Sequence, residues 1–176
     1  KIERIQADTA ERLGRVEAQI FEPQLMMVDD ADLISDVEAY ISENRLSAAR
    51  ALVLRMLEFQ SDWRDTGHPM VMDRLNDLLD VETRMIRHLM GVDDPDGILG
   101  GIGEPSILVG RDLTPSITVQ LDPEKVLGVA TDAGTRTSHS AILARALGIP
   151  AVVGLGDLSD SIDDGDPLIL DGRAGR

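Results

Sequence analysis

The chain of 176 residues has no cysteine, which excludes disulfides, thiolate metal sites and a cysteine nucleophile. Aromatic residues make up only 2% of it, leaving few platforms on which bases could stack. Basic residues are also scarce: 17 Lys and Arg stand against 32 Asp and Glu, for a formal net charge of -15. Such a surface repels a nucleic-acid backbone and an anionic bilayer alike, so neither is an expected partner. No stretch approaches the roughly 18 consecutive apolar residues of a membrane span, and the opening from Lys1 to Thr9 mixes charged and apolar positions unlike a secretory signal. A cytoplasmic location is the resulting expectation. The chain does have 43% hydrophobic residues, enough for a packed core. Its carboxylates confer solubility and can also steer a basic protein partner toward a docking face.

Periodicity divides the chain into two parts. Apolar residues at Ile2, Ile5, Leu13, Val16 and Ile20, with Thr9 in the gap, predict a helix from the start. A chain that opens inside a helix reads as a fragment of a longer protein. Pro23 and the run Asp29, Asp30 and Asp32 interrupt this pattern, and Asp29 or Asp30 is the expected N-cap of a second helix carrying Leu33, Val37, Tyr40 and Ile41. Ser47 opens a third, with Ala49, Leu52, Val53, Met56 and Leu57 inward. After a turn at Gly67, His68 and Pro69 a fourth carries Leu75, Leu78, Met85, Ile86 and Leu89. His68 and His88 show no ligand constellation and read as structural or solvated. Short connections favour a helical bundle over residues 1–92. The Gly- and Pro-rich stretch 93–104 reads as a linker or hinge. Beyond it, short β-like runs at 107–109, 126–131, 151–153 and 168–170 alternate with one helix, which predicts a small α/β domain over 105–176. The expected class is α+β. No metal-ligand spacing is evident.

The segment that carries chemistry is 129–154, VATDAGTRTSHSAILARALGIPAVVG. It predicts a strand ending at Thr131, a turn of small residues, a helix capped by Thr137 or Ser138, a stop at Gly148 and a second strand. His139 then falls in the first helical turn, where free amides and the hydroxyls of Thr137 and Ser138 form a site for an anion. A neutral imidazole is a competent nucleophile at neutral pH, and its second nitrogen needs only a hydrogen-bond partner to fix the tautomer. Arg136 can neutralise incoming charge, while Ala133 and Gly134 permit close approach. The same histidine would also be at home as a polar first-turn residue on a solvated helix.

The run TSHSAILARALGIPAVVG resembles the signature of phosphoenolpyruvate-utilising enzymes, in which a glycine pair precedes Thr, Ser and a phosphorylated His. DLTPSITVQL, from Asp112 to Leu121, is similar to the segment that precedes the phosphohistidine strand in Enzyme I, and DDGDPLILDG, from Asp163 to Gly172, resembles the closing strands of its swivelling domain. The second glycine of the family pair is replaced here by Thr135, which would be strained if that position needs positive φ. Pyruvate phosphate dikinase and phosphoenolpyruvate synthase share the signature, but FEPQLMMVDDADL, from Phe21 to Leu33, resembles an Enzyme I helix pair that docks the phosphocarrier HPr.

Several expectations follow from the Enzyme I resemblance. It implies a four-helix HPr-binding domain beside a swivelling phosphohistidine domain, and a phosphoryl group carried on Nε2 of His139. Thr118 would hydrogen-bond the active imidazole. Docking would use Met27 and Leu33 as apolar contacts and Asp30 and Asp32 as acidic ones, joined by Trp63, Val71 and Arg74, although Met27, Leu33 and Trp63 would equally serve as core residues. The resemblance further implies that phosphoenolpyruvate and magnesium are handled by a carboxy-terminal barrel outside this chain, with no cofactor in the present part. An Enzyme I-like regulator, the phosphohistidine domain of a related enzyme, or a non-catalytic interaction module are the alternative readings.

Overall fold

The computed structural model describes residues 1–65, 69–92 and 97–176, apart from the side chains of Arg64, residues 69–74, Asn76, Gly97 and Ile98. The contacts divide the chain into two compact units. One comprises Phe21–Pro95 together with Ile2; the other joins Lys1 and Glu3–Ile20 to Asp96–Arg176. The first helix therefore packs with the β-containing unit, whereas the sequence pattern had placed it in the helical domain 1–92. A physical tie is the Arg12 guanidinium, which donates to the carbonyl of Val119 at 2.8 Å.

That first helix, α1 (Ile2–Arg12), stops earlier than its apolar stripe predicts. Gly14 adopts φ +114°, a conformation L side chains rarely reach, and the chain restarts as the short α2 (Arg15–Ala18). The rotation leaves Val16 76% exposed, against the expectation that it faced inward.

The helical unit contains α3 (Glu22–Val28), α4 (Ala31–Asn44), α5 (Ala48–Asp65) and α6 (Pro69–Leu89). Asp30 is the N-cap of α4, its carboxylate accepting from the amides of Asp32 at 2.9 Å and Leu33 at 3.0 Å. Ser47 Oγ accepts from the Arg50 amide before α5. The buried stripe of α5 runs through Leu52, Met56 and Gln60 at i, i+4 spacing. Leu57 therefore turns about 100° away and is exposed. Leu89, at the last turn of α6, is exposed as well, while Leu75, Leu78 and Val81 are buried. Polar ties supplement this core: Gln24 of α3 donates to Asp80 of α6 at 3.2 Å, and Gln60 of α5 donates to Glu82 of α6 at 2.8 Å. Arg55 of α5 reaches Asp36 of α4 at 2.7 Å and lies over the Phe59 ring at 3.9 Å. His88 sits in the last turn of α6; His68 lies outside the described residues.

The other unit is built on a parallel sheet of order β1-β2-β3: β1 (Ser106–Gly110), β2 (Val126–Thr131) and β3 (Ala151–Val153). The crossovers carry α7 (Pro115–Thr118) and α8 (His139–Ala146), and α9 (Leu158–Ser161) follows β3. Thr131, the last residue of β2, lies opposite Gly110 and Val153, so all three strands end together beside the loop that leads to His139. Leu113, Leu121, Val126, Val129 and Ile149 form the core. Leu99 and Ile102 pack on it from a 3-10 turn at Gly97–Gly101, so the second half of the expected linker 93–104 is part of this unit, and residues 93–96 lie outside the described residues. The apolar run 168–170 is not a strand. Leu170 covers Gly128, its methyls 3.5 Å from where a Cβ there would stand, while Ile169 is 98% exposed, so burial on one face comes without a main-chain ladder.

Candidate functional site

The loop between β2 and α8 is fixed largely by backbone pairing. The Asp132 amide donates to Gly110 at 3.1 Å and the Ala133 amide to Arg111 at 2.8 Å, on the β1 side. From the β3 side, the amides of Gly154 and Gly156 donate to Ala133 and Asp132 at 3.2 and 2.9 Å. Gly134 adopts φ +101°, and a Cβ there would stand 3.4 Å from Val153 Cβ and 3.5 Å from Ser138 Oγ. Arg45 is the one non-glycine residue with positive φ among those described, so Thr135 has ordinary backbone geometry. The strain envisaged for Thr135 does not arise, because the left-handed turn falls on Gly134. The Thr135 carbonyl accepts from the Ser138 amide at 3.0 Å, and its hydroxyl lies 3.1 Å from that of Thr137.

Ser138 occupies the N-cap position of α8 and His139 the first helical one. The Ser138 hydroxyl makes no capping bond; its Oγ lies 3.2 Å from Ser140 Oγ. The Ser138 side chain therefore does not occupy the amides of the first turn, and a helix start of this kind attracts an anion. His139 and Ser138 are half-buried, whereas Arg136 and Thr137 are exposed, so His139 can be approached from solvent.

Thr118 ends α7, and α7 packs directly against α8. Its side chain is fully buried, and its hydroxyl donates to the Thr114 carbonyl at 2.9 Å. A carbonyl only accepts, so the Thr118 proton is committed and its oxygen retains lone pairs.

Asp132 and Ser159 were not singled out by sequence. The Asp132 carboxylate accepts from the Ser159 amide at 2.9 Å and also from the Ser159 hydroxyl. The Ser159 hydroxyl and amide bonds hold the Asp132 carboxyl below the usual carboxylate range. The two residues are 27 apart in sequence, so no short spacing could have shown the pair.

Sites expected in the helical unit are not all equally available. Leu33 is 4% exposed and belongs to the interior rather than to a contact surface. Asp30 is exposed but engaged as the α4 cap. Asp32 is exposed, Met27 and Trp63 are half-buried, and the neighbouring Met26 is 75% exposed. Val71 and Arg74 fall on α6, with side chains outside those described. Among the described residues no three His, Asp or Glu side chains gather as metal ligands, and no helix is long and apolar enough to cross a membrane.

Two family profiles match: PEP-utilising enzyme, N-terminal, over residues 1–74, and PEP-utilising enzyme, mobile domain, over 102–175. The NMR solution structure of an Enzyme I protein is 40% identical, with a TM-score of 0.67, and the match covers 99% of this chain and 69% of that one. The chain belongs to the Enzyme I family. A second solved Enzyme I relative, the N-terminal domain of an Enzyme 1 designated Nitrogen, is 25% identical at a TM-score of 0.56, covering 87% of this chain and 61% of that one. The phosphoenolpyruvate-protein phosphotransferases of Staphylococcus epidermidis and Geobacillus stearothermophilus are 37% and 39% identical over 99% and 100% of this chain. This Enzyme I chain spans 30% of the length of each of those two relatives.

Proposed function

We propose that this chain carries a phosphoryl group on His139, received in the full-length protein from phosphoenolpyruvate and passed to HPr. The observation that carries the reading is the hydrogen-bond state of Thr118. Its proton is given to the Thr114 carbonyl, so toward an imidazole the hydroxyl oxygen can only accept. A ring Nδ1–H donated to that oxygen would select the tautomer in which Nε2 carries the lone pair, and no general base is needed for attack.

The lone pair of His139 attacks phosphorus while the bond from phosphorus to the enol oxygen breaks, and the departing enolate takes a proton at carbon to become pyruvate. In the second transfer an imidazole of HPr attacks, the bond between phosphorus and Nε2 breaks, and His139 is regenerated. The start of α8 would stabilise the bound phosphoryl by about 0.3–1 kcal/mol, with Arg136 in the exposed turn that precedes it in sequence. Magnesium and phosphoenolpyruvate belong to the remaining part of the protein and are assigned no residue here. In the helical unit, exposed Asp32 and half-buried Met27 and Trp63 support an acidic, partly apolar HPr face, with Val71 and Arg74 as further contacts. A cytoplasmic location is part of the same reading.

The test is to offer the chain two donors separately. Phosphorylated HPr should load His139 reversibly, and phosphoenolpyruvate with magnesium should not; turnover of phosphoenolpyruvate by this chain alone would overturn the division of labour.

A further inference from the structure

We infer that Asp132 is a positioning residue for the phosphoryl-bearing loop, holding the end of β2 in place by gripping Ser159 with both carboxylate oxygens. The inference rests on the carrier role proposed for His139.

The short helix α9 has Asp157 at its N-cap position, yet the Asp157 side chain makes no capping bond. The acceptor for the Ser159 amide comes instead from Asp132, at 2.9 Å, and the Ser159 hydroxyl donates to the other oxygen of the same carboxylate. A helix start is thus capped from the first loop residue after β2, and α9 in turn packs on β1. Two neighbouring groups, Arg111 and Asp160, pair at 3.3 Å, but both are largely exposed and contribute little to the grip.

The main chain of Asp132 is held at the same point. Its amide is bound by Gly110 and its carbonyl by Gly156, while Ala133 is held between Arg111 and Gly154. Beyond this anchor the loop turns at Gly134 against Ser138, so a shift at residue 132 is delivered to the N-cap of α8. Charge strengthens the grip, because a carboxylate accepting two hydrogen bonds makes stronger bonds than a neutral acceptor. The depressed Asp132 carboxyl agrees with it staying ionised in use.

The experiment measures phosphoryl acceptance at His139 in the 176-residue chain and in Asp132→Ala, Asp132→Asn, Ser159→Ala and the Asp132→Ala/Ser159→Ala double variant. Each is given phosphorylated HPr, and separately phosphoramidate, a small donor that needs no docking face. The expected result is a loss for Asp132→Ala of roughly ten- to a hundredfold in rate with both donors. KM for phosphorylated HPr should stay unchanged, since the helical face is untouched. Asn should recover part of the rate, as one oxygen still accepts from the Ser159 amide. Ser159→Ala keeps that amide and should lose less, and the double variant should be no worse than Asp132→Ala alone. Should Asp132→Ala fail to fold, Ser159→Ala decides by its own partial loss. Wild-type rates in Asp132→Ala, a change confined to KM, additive losses in the double variant, or a Ser159→Ala rate equal to wild type would each overturn the inference. Failure of the wild-type chain with both donors would instead strike the carrier role, and this inference with it.

Discussion

Gly134→Ala tests whether the loop before His139 depends on a left-handed glycine. At φ +101° a non-glycine residue is held in a sparsely populated conformation, at a cost of about 1–3 kcal/mol. Alanine also restricts the unfolded chain, which returns about 0.4–1 kcal/mol. The new Cβ would stand 3.4 Å from Val153 Cβ, an ordinary contact that adds little. The midpoints of these two ranges leave a net destabilisation of about 1.3 kcal/mol, or roughly a ninefold loss in the folded ratio. All four aromatic residues, Phe21, Tyr40, Phe59 and Trp63, lie in the helical unit, so Trp63 fluorescence does not report on this loop. Amide exchange followed by mass spectrometry on a peptide spanning β2 does. Protection there should fall by that factor while the Trp63 urea midpoint stays in place. Thr135→Gly is the control: Thr135 has ordinary φ, so glycine costs only about 0.5–1 kcal/mol through backbone entropy. Unchanged β2 protection in Gly134→Ala, or a larger loss in Thr135→Gly, would refute the assignment of the turn to Gly134.

Asp30→Ala removes the acceptor for the Asp32 and Leu33 amides and should cost about 0.5–2 kcal/mol, read from the Trp63 urea midpoint, with Asp30→Asn close to wild type. Leu143 is fully buried on the inner face of α8, so Leu143→Ala should lose about 2–5 kcal/mol by β2 amide exchange. Burial raises the Glu82 carboxyl above its ordinary value of 4.5, partly countered by the Gln60 amide. A raised carboxyl favours the protonated folded form, so the stability it contributes is full below pH 4.5 and is lost as pH rises through the folded value. Glu82→Gln should therefore flatten the Trp63-detected stability profile where it falls above pH 4.5; an unchanged slope would count against burial as the cause.

Local patterns carried much of this structure. The cap at Asp30, the strand ending at Thr131 and the placement of His139 in the first turn of α8 follow from residue type and spacing within a few positions. Gly14 shows where such patterns mislead: the apolar stripe continues through Val16 and Ile20, but one positive φ breaks the helix. The run 168–170 shows a second limit, since apolar alternation records which face is buried and not whether a strand partner exists. Asp132 and Ser159 were illegible for a third reason, because parallel β-topology joins residues far apart in sequence. The site around His139 was readable because its main parts are contiguous; Thr118 came only through family resemblance, and the packing of α7 on α8 places its segment beside the helix.

The central claim, that His139 holds the phosphoryl group, is tested most directly by intact mass after incubation with phosphorylated HPr, comparing the wild-type chain with His139→Ala before and after mild acid. One acid-labile phosphoryl group is expected on the wild type and none on the variant; a group that survives acid, or one that still appears on His139→Ala, would rule out His139 as the carrier.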